Sequence, residues 1–185
     1  MQDNPLRFEE LVNRRRSVRR YTPEPVPRPL VDRCLEAARL APSACNSQPW
    51  SFLVVDKPGR RDRLAAAAFA GVYAMCAFAR QAPVLVAMVT ERSRFSAALG
   101  GFWRGVQYNL VDIGIAGEHF ALQAAELGLG ACWLGWFDEK AVRRELALPR
   151  GTRVDILFSL GWPADDPPPA GKVRRPLDAV RRYVD

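Results

Sequence analysis

The chain has 185 residues, 49% hydrophobic and 25% charged, with a formal net charge of +7 at pH 7. That length and balance predict one compact domain spanning residues 1–185 and exclude a disordered chain. Cys34, Cys45, Cys76 and Cys132 are dispersed, form no CxxC pair and have only His119 for company, which excludes a zinc site and a disulfide framework. They read as reduced thiols of a cytoplasmic protein.

In chain order, "MQDNPLRFEELV" carries acidic residues and no apolar run, so no secretory signal is read there. Phe8, Leu11 and Val12 stand at helical spacing and predict a first helix ending near Arg14 to Arg16. The proline-rich "SVRRYTPEPVPRP" cannot continue it. "RPLVDRCLEAARLA" places Leu30, Val31, Cys34, Leu35, Ala38 and Ala41 on one stripe, a second helix that Pro42 stops. A run of small and polar residues, "APSACNSQPW", then leads into "SFLVVD", the first strand. "RRDRLAAAAFAGVYAMCAFARQA" predicts helix in two pieces about Gly71. Its apolar run, Leu64 to Ala79, falls short of the roughly 18–20 residues that span a bilayer, so no membrane partner is expected.

"PVLVAMVT" is apolar throughout and predicts a second strand, central in its sheet. Ser93 to Asn109 is ambiguous, with glycines among Phe95, Phe102, Trp103 and Tyr108. "DIGIAGEHFALQAAELG" puts Ile113, Ala116, Phe120, Ala124 and Leu127 on one helix face, with Asp112 as N-cap and Gly128 as the C′ residue. "GACWLGWF" and "VDILFSLGW" predict strands three and four, joined by a helix in "DEKAVRREL". The proline-rich "PADDPPPAG" can reach roughly 28 Å in a polyproline path, which makes 163–185 a linker and an arm that leaves its own body.

The net positive charge raises nucleic acid as a partner. Against it, the basic residues are mostly arginine, mixed with acids along the chain, without an RNA-binding aromatic signature or a helix-turn-helix pattern. A solvated face accounts for most of them, and no nucleic-acid partner is expected. Two clusters stand out, "RRRSVRRY" and "KVRRP", at opposite ends of the chain.

"RRRSVRRY", "APSACNSQPWSFLVV", "ELGLGACWLGWF" and "KVRRP" occur in this order between about Arg14 and Pro176, and together the sequence resembles the nitroreductase family of FMN-dependent oxidoreductases. The resemblance implies an α+β fold with a mostly antiparallel central sheet wrapped by helices. It also implies an obligate homodimer with two FMN sites at the interface, and a C-terminal arm that crosses to add a strand to the partner's sheet.

By the same resemblance, Arg15, Arg16, Ser17 and Arg19 hold the FMN phosphate, ribityl chain and pyrimidine edge. A phosphate monoester carries about −1.5 to −2 charge, and the arginine fork matches its oxygens. If this segment is extended, Arg15, Ser17 and Arg19 share one side. From the other subunit Pro42, Ser43 and Ala44 lie along the cofactor, where small residues let backbone approach a flat ring. Asn46 reaches a polar atom of the flavin or ribityl chain, and Gln48, Pro49 and Trp50 brace the loop. Leu134, Gly135 and Trp136 form the segment near flavin N5, with the Gly135 N–H as the donor. Lys172 and Arg174, with Arg175 as a substitute, clamp the phosphate. Taken singly, each motif also fits an ordinary reading: a solvated helix end, a helix stop with its turn, a basic tail. Met75, Cys76 and Ala77 supply no cation before the second strand, and His119 reads as a packed or interface histidine.

The implied function is reduction of electron-poor acceptors, such as nitroaromatics or quinones, with NADPH or NADH as transient reductant in ping-pong order. No GxGxxG follows a strand, so the nucleotide would not sit in a Rossmann domain. No catalytic acid or base and no metal ligand is assigned. The alternatives are another flavin reaction on the same fold (dehalogenation, ene reduction or ring oxidation) and a flavin-binding protein that is not an enzyme.

Overall fold

The computed structural model describes residues 7–90, 106–164 and 172–184. Its centre is a four-stranded antiparallel sheet of β1 (Trp50–Val55), β2 (Val84–Thr90), β3 (Gly130–Leu134) and β4 (Arg153–Gly161), in the order β1-β2-β4-β3. The unbroken apolar run of β2 is explained by this place. It pairs on both sides, with Val54 opposite Val86 on β1 and Phe158 opposite Val86 on β4.

Side chains alternate along a strand, so β2 feeds two cores. Val84, Val86 and Met88 join Phe158 and Leu160 on one face, under Val31, Cys34 and Ala38 of α2 (Arg28–Arg39) and Ile113, Ala116, Phe120 and Ala124 of α4 (Tyr108–Glu126). Leu85, Ala87 and Val89 meet Leu64, Ala65 and Ala68 of α3 (Pro58–Ala68) and Val142 of α5 (Glu139–Glu145) on the other. The result is three layers, helix on sheet on helix, as expected of an α+β protein. Phe158 anchors the first core, with ring centroids 4.9 Å from Phe120 and 4.7 Å from Trp133. Trp133 needs Gly117 opposite it, because a Cβ there would stand 2.2 Å from the indole.

After the short α1 (Phe8–Arg14) the chain runs extended along β3. Ser17 forms a parallel bridge with Ala131, and the Val18 N–H donates to the Ala131 carbonyl at 3.1 Å. Tyr21 donates to the Val18 carbonyl at 2.6 Å and shares a 2.8 Å hydrogen bond with Ser159 Oγ, while burial pushes its phenol far above the ordinary range. This segment carries the basic cluster, and backbone bonds at Val18, Arg20 and Thr22 tie it to β3 and to the end of β4.

Two features differ from the pattern read in the sequence. Asp112 is not an N-cap: α4 begins a turn earlier, at Tyr108, and leaves Asp112 inside the helix and buried. Gly128 does close that helix in a left-handed conformation, φ +76°. The alanine-rich run breaks at Gly71, φ +55°, and its second piece, Gly71–Gln81, is 3₁₀ rather than α. The segment 93–105 with Phe95, Phe102 and Trp103, and the linker residues 165–171, lie outside the described residues. Among the described residues no helix is long and apolar enough to cross a membrane.

Candidate functional site

The extended path at Ser17 and Val18 separates the arginines by parity. Arg16 and Val18 face a cavity of about 320 Å³ that Arg14, Gly128 and Trp162 also line. Arg15, Ser17 and Arg19 are not part of that lining. Arg15 Nε lies 3.0 Å from Glu118 Oε1 of α4, an ion pair without hydrogen-bond alignment. The buried nitrogen has no hydrogen-bond partner among the described residues. Ser17 hydrogen-bonds the Cys132 thiol, and Arg19 stands 5.8 Å from the centre of the Phe78 ring.

Lys172, at the start of the C-terminal arm, donates to the Val12 carbonyl. Burial and then the positive charges of Arg15 and Arg174 hold its ammonium below the ordinary lysine value, with Glu118 opposing them. Three cations from the two ends of the chain therefore share one place, with one carboxylate to offset them. Such a gathering of positive charge favours an anion, and the Arg15 Nε beside Glu118 makes no hydrogen bond there. Glu118 was not singled out in the sequence, because its partner Arg15 lies on a different element.

The loop after α2 is built differently. Cys45, Asn46 and Gln48 all have positive φ, at 52°, 51° and 45°, in the region that side-chain-bearing residues rarely enter. The Gln48 N–H donates to Ser43 Oγ at 2.9 Å, and Gln48 Nε2 donates to Asn46 Oδ1 at 3.0 Å. Gln48 thus braces the loop as expected, while Pro49 and Trp50 are buried beneath it. The Ala44 N–H reaches the carboxylate of Asp112 at 3.0 Å. From Asp112 to Glu118 is about 9 Å along the helix axis, so the loop and the cation cluster sit at different levels of α4. Among the described residues no hydrogen bond or ion pair joins Pro42–Asn46 to Arg15, Ser17, Arg19 or Gly135 within one chain.

Beyond β3 the chain turns outward. Leu134 is buried, whereas Gly135 and Trp136 are exposed. A Cβ at Gly135 would meet nothing within 4 Å, so the space beside its Cα is open. Trp136 is fixed by its indole N–H, which donates to the Val72 carbonyl at 2.9 Å, and by Tyr73, whose ring centroid is 5.3 Å away. Val72 and Met75, on the same 3₁₀ segment as Tyr73, are both exposed. His119 packs on α2, with Nδ1 3.2 Å from the Ala37 carbonyl.

A sequence profile of the nitroreductase family matches residues 12–162. An NADH dehydrogenase of Thermus thermophilus is 32% identical over 193 residues, covering 90% of this chain and 91% of that protein. The fold is similar to that of a nitroreductase family protein from Streptococcus pneumoniae TIGR4, with a TM-score of 0.78, 26% identity and 96% and 100% of the two chains covered. It is similar also to an FMN-dependent nitroreductase from Clostridium difficile R20291, with a TM-score of 0.73, 25% identity and 96% and 99% covered. With a family profile running from α1 through β4 and an antiparallel sheet layered as in those structures, the chain belongs to the nitroreductase family.

Proposed function

We propose that the protein is a homodimer that binds two FMN at its interface and passes electrons from NADPH or NADH to electron-poor acceptors such as nitroaromatics and quinones. The observation that carries this reading is the gathering of Arg15, Lys172 and Arg174 with Glu118 opposing them, where the buried Arg15 Nε is ion-paired without a hydrogen bond. A phosphate dianion fits that place, because it offers an aligned acceptor and relieves the crowding of positive charge.

The chain's own residues then have separable tasks. Arg15, Lys172 and Arg174 hold the phosphate, and Ser17 stands beside them for the ribityl chain. Arg19 brings positive charge to the pyrimidine edge. The Gly135 N–H is the donor at N5. When bound, FMN would supply a ring that takes hydride from the nucleotide and returns electrons to the acceptor. Tyr73 and Trp136 form an apolar wall that takes a flat ring and excludes water.

The loop Pro42–Asn46 reaches the cofactor only from the second subunit, which is why its separation from the cation cluster within one chain supports a shared site. The surface supports association too. Among the described residues β1 has a strand on one side only. The arm carries exposed Val173, Leu177, Val180 and Tyr183. An unpaired edge and an unburied apolar arm are both liabilities that exchange onto the partner's sheet would remove.

Initial rates measured anaerobically, with nucleotide and a nitroaromatic or quinone varied together, test the reading. Parallel double-reciprocal lines are expected, since one site is used in turn. Intersecting lines would contradict alternate occupancy. Flavin-loaded protein that neither nucleotide reduces would assign the fold here to a different flavin reaction.

A further inference from the structure

We propose that Asp112 is a positioning residue: its buried carboxylate holds the strained loop Ser43–Gln48 in the conformation that meets FMN across the dimer interface. The inference rests on the flavin reading for its purpose, while the holding itself is a property of the chain alone.

Asp112 lies on the i, i+4 row of α4 with Ala116, Phe120 and Ala124, all buried, and is itself 3% exposed. A carboxylate on such a stripe needs donors. It finds them in the loop, where the Ala44 N–H donates to Oδ1 at 3.0 Å and Ser47 Oγ donates to Oδ2 at 3.4 Å. Both incoming groups are donors, and an ionised carboxylate is the side chain with two acceptors and no competing hydrogen.

The need for such a hold lies in the backbone. Three residues of the loop other than glycine occupy the left-handed region: Cys45, Asn46 and Gln48. Residues of this kind relax to ordinary φ unless their surroundings over-determine them. The loop's internal bonds, from Asn46 N–H to the Ser43 carbonyl and from Ser47 N–H to the Ala44 carbonyl, both 3.0 Å, shape the turn. They do not fix it to the body. Asp112 does so from a rigid helix, at the residue whose backbone must lie flat along the cofactor.

Two variants and two readouts decide the matter. Asp112→Ala removes both acceptors, whereas Asp112→Asn keeps one for Ala44 and can donate its amide hydrogen to Ser47 Oγ. Hydrogen exchange is followed in the cofactor-free protein, and FMN binding by flavin fluorescence. In Asp112→Ala the Ala44 amide is expected to exchange at least about tenfold faster, and the FMN Kd to rise about tenfold, with Asp112→Asn within about threefold of the parent in both. A merely structural role would lower Tm without the rescue by asparagine and without changing the spectrum of the bound flavin. If Asp112→Ala does not fold, Ser47→Ala, which removes one donor, takes its place with a threefold rise expected.

Unchanged Ala44 exchange in folded Asp112→Ala, or unchanged FMN binding in that variant or in Ser47→Ala, would overturn the proposal. Failure of the parent protein itself to bind FMN would instead overturn the flavin reading, and the exchange result would still report on the loop.

Discussion

Replacing Arg15 by alanine is expected to weaken FMN binding about a hundredfold while leaving riboflavin binding within about twofold of the parent. The asymmetry follows from where the guanidinium stands. Its Nε is buried without a hydrogen bond, 3.0 Å from Glu118, and its charge is felt by Lys172. A charged hydrogen bond to phosphate contributes about 1.5–3 kcal/mol, and each 1.4 kcal/mol is about tenfold in affinity. Riboflavin lacks the phosphate, so it does not meet the cluster. Arg15→Lys keeps the charge and loses the planar fork, and should fall between the two at about tenfold. The salt dependence should also flatten in Arg15→Ala, since one of the cations facing the phosphate is gone. Fluorescence titration with both flavins at two ionic strengths checks all of this. Equal losses for FMN and riboflavin would place Arg15 elsewhere than at the phosphate.

The second large effect is expected at Gly130, at the start of β3. A Cβ built there would come within 2.6 to 2.7 Å of Cβ and both methyl carbons of Val18. Valine is stiff at χ1 and Val18 is buried, so the strain passes to the backbone of the arginine segment rather than to a rotamer. Gly130→Ala should therefore cost about 2 kcal/mol of stability, a fall of roughly 4–8 °C in Tm for a chain of this size. It should also weaken FMN binding, because Ser17 and Arg19 flank Val18. The coupling is testable: Val18→Ala removes the methyl groups in the way, so the double variant should lose less than the sum of the two single variants. Gly135→Ala is the control, with nothing within 4 Å of its Cβ, and should leave Tm unchanged. A Gly130→Ala protein with unaltered Tm and FMN affinity would show that this packing is not what fixes the segment.

Both predictions depend on residues that the sequence showed with unequal clarity. The stripe of α2 and the apolar run of β2 were legible because burial imposes periodicity. Val31, Cys34 and Ala38 repeat at helical spacing, and a strand paired on both sides has no solvent face to mark with polar residues. The strand alternation of Arg15, Ser17 and Arg19 against Arg16 was legible once the segment was taken as extended. That Arg16 points into a separate cavity with Arg14 and Trp162 was not, because a basic cluster looks the same from either side.

Asp112 misled for a physical reason. Aspartate before an apolar helical run is the signal of an N-cap, and the true partner of its carboxylate, the Ala44 N–H, is distant in sequence. The clue that could have corrected it was its own place on the buried row of α4. Glu118 left no such clue, since its meaning comes from Arg15, on a different element. The 3₁₀ form of Gly71–Gln81 was hidden for another reason, because an alanine-rich apolar run suits either helix.

The central claim, a bound flavin that a nicotinamide nucleotide reduces, is tested most directly by the visible spectrum of the purified protein. The protein is supplied with FMN, freed of excess, and recorded anaerobically before and after NADPH or NADH is added. The account predicts a flavin absorption band that co-purifies with the protein and bleaches on addition of nucleotide. A protein that stays colourless after exposure to FMN would contradict it, and the roles given to Arg15, Lys172 and Arg174 would go with it.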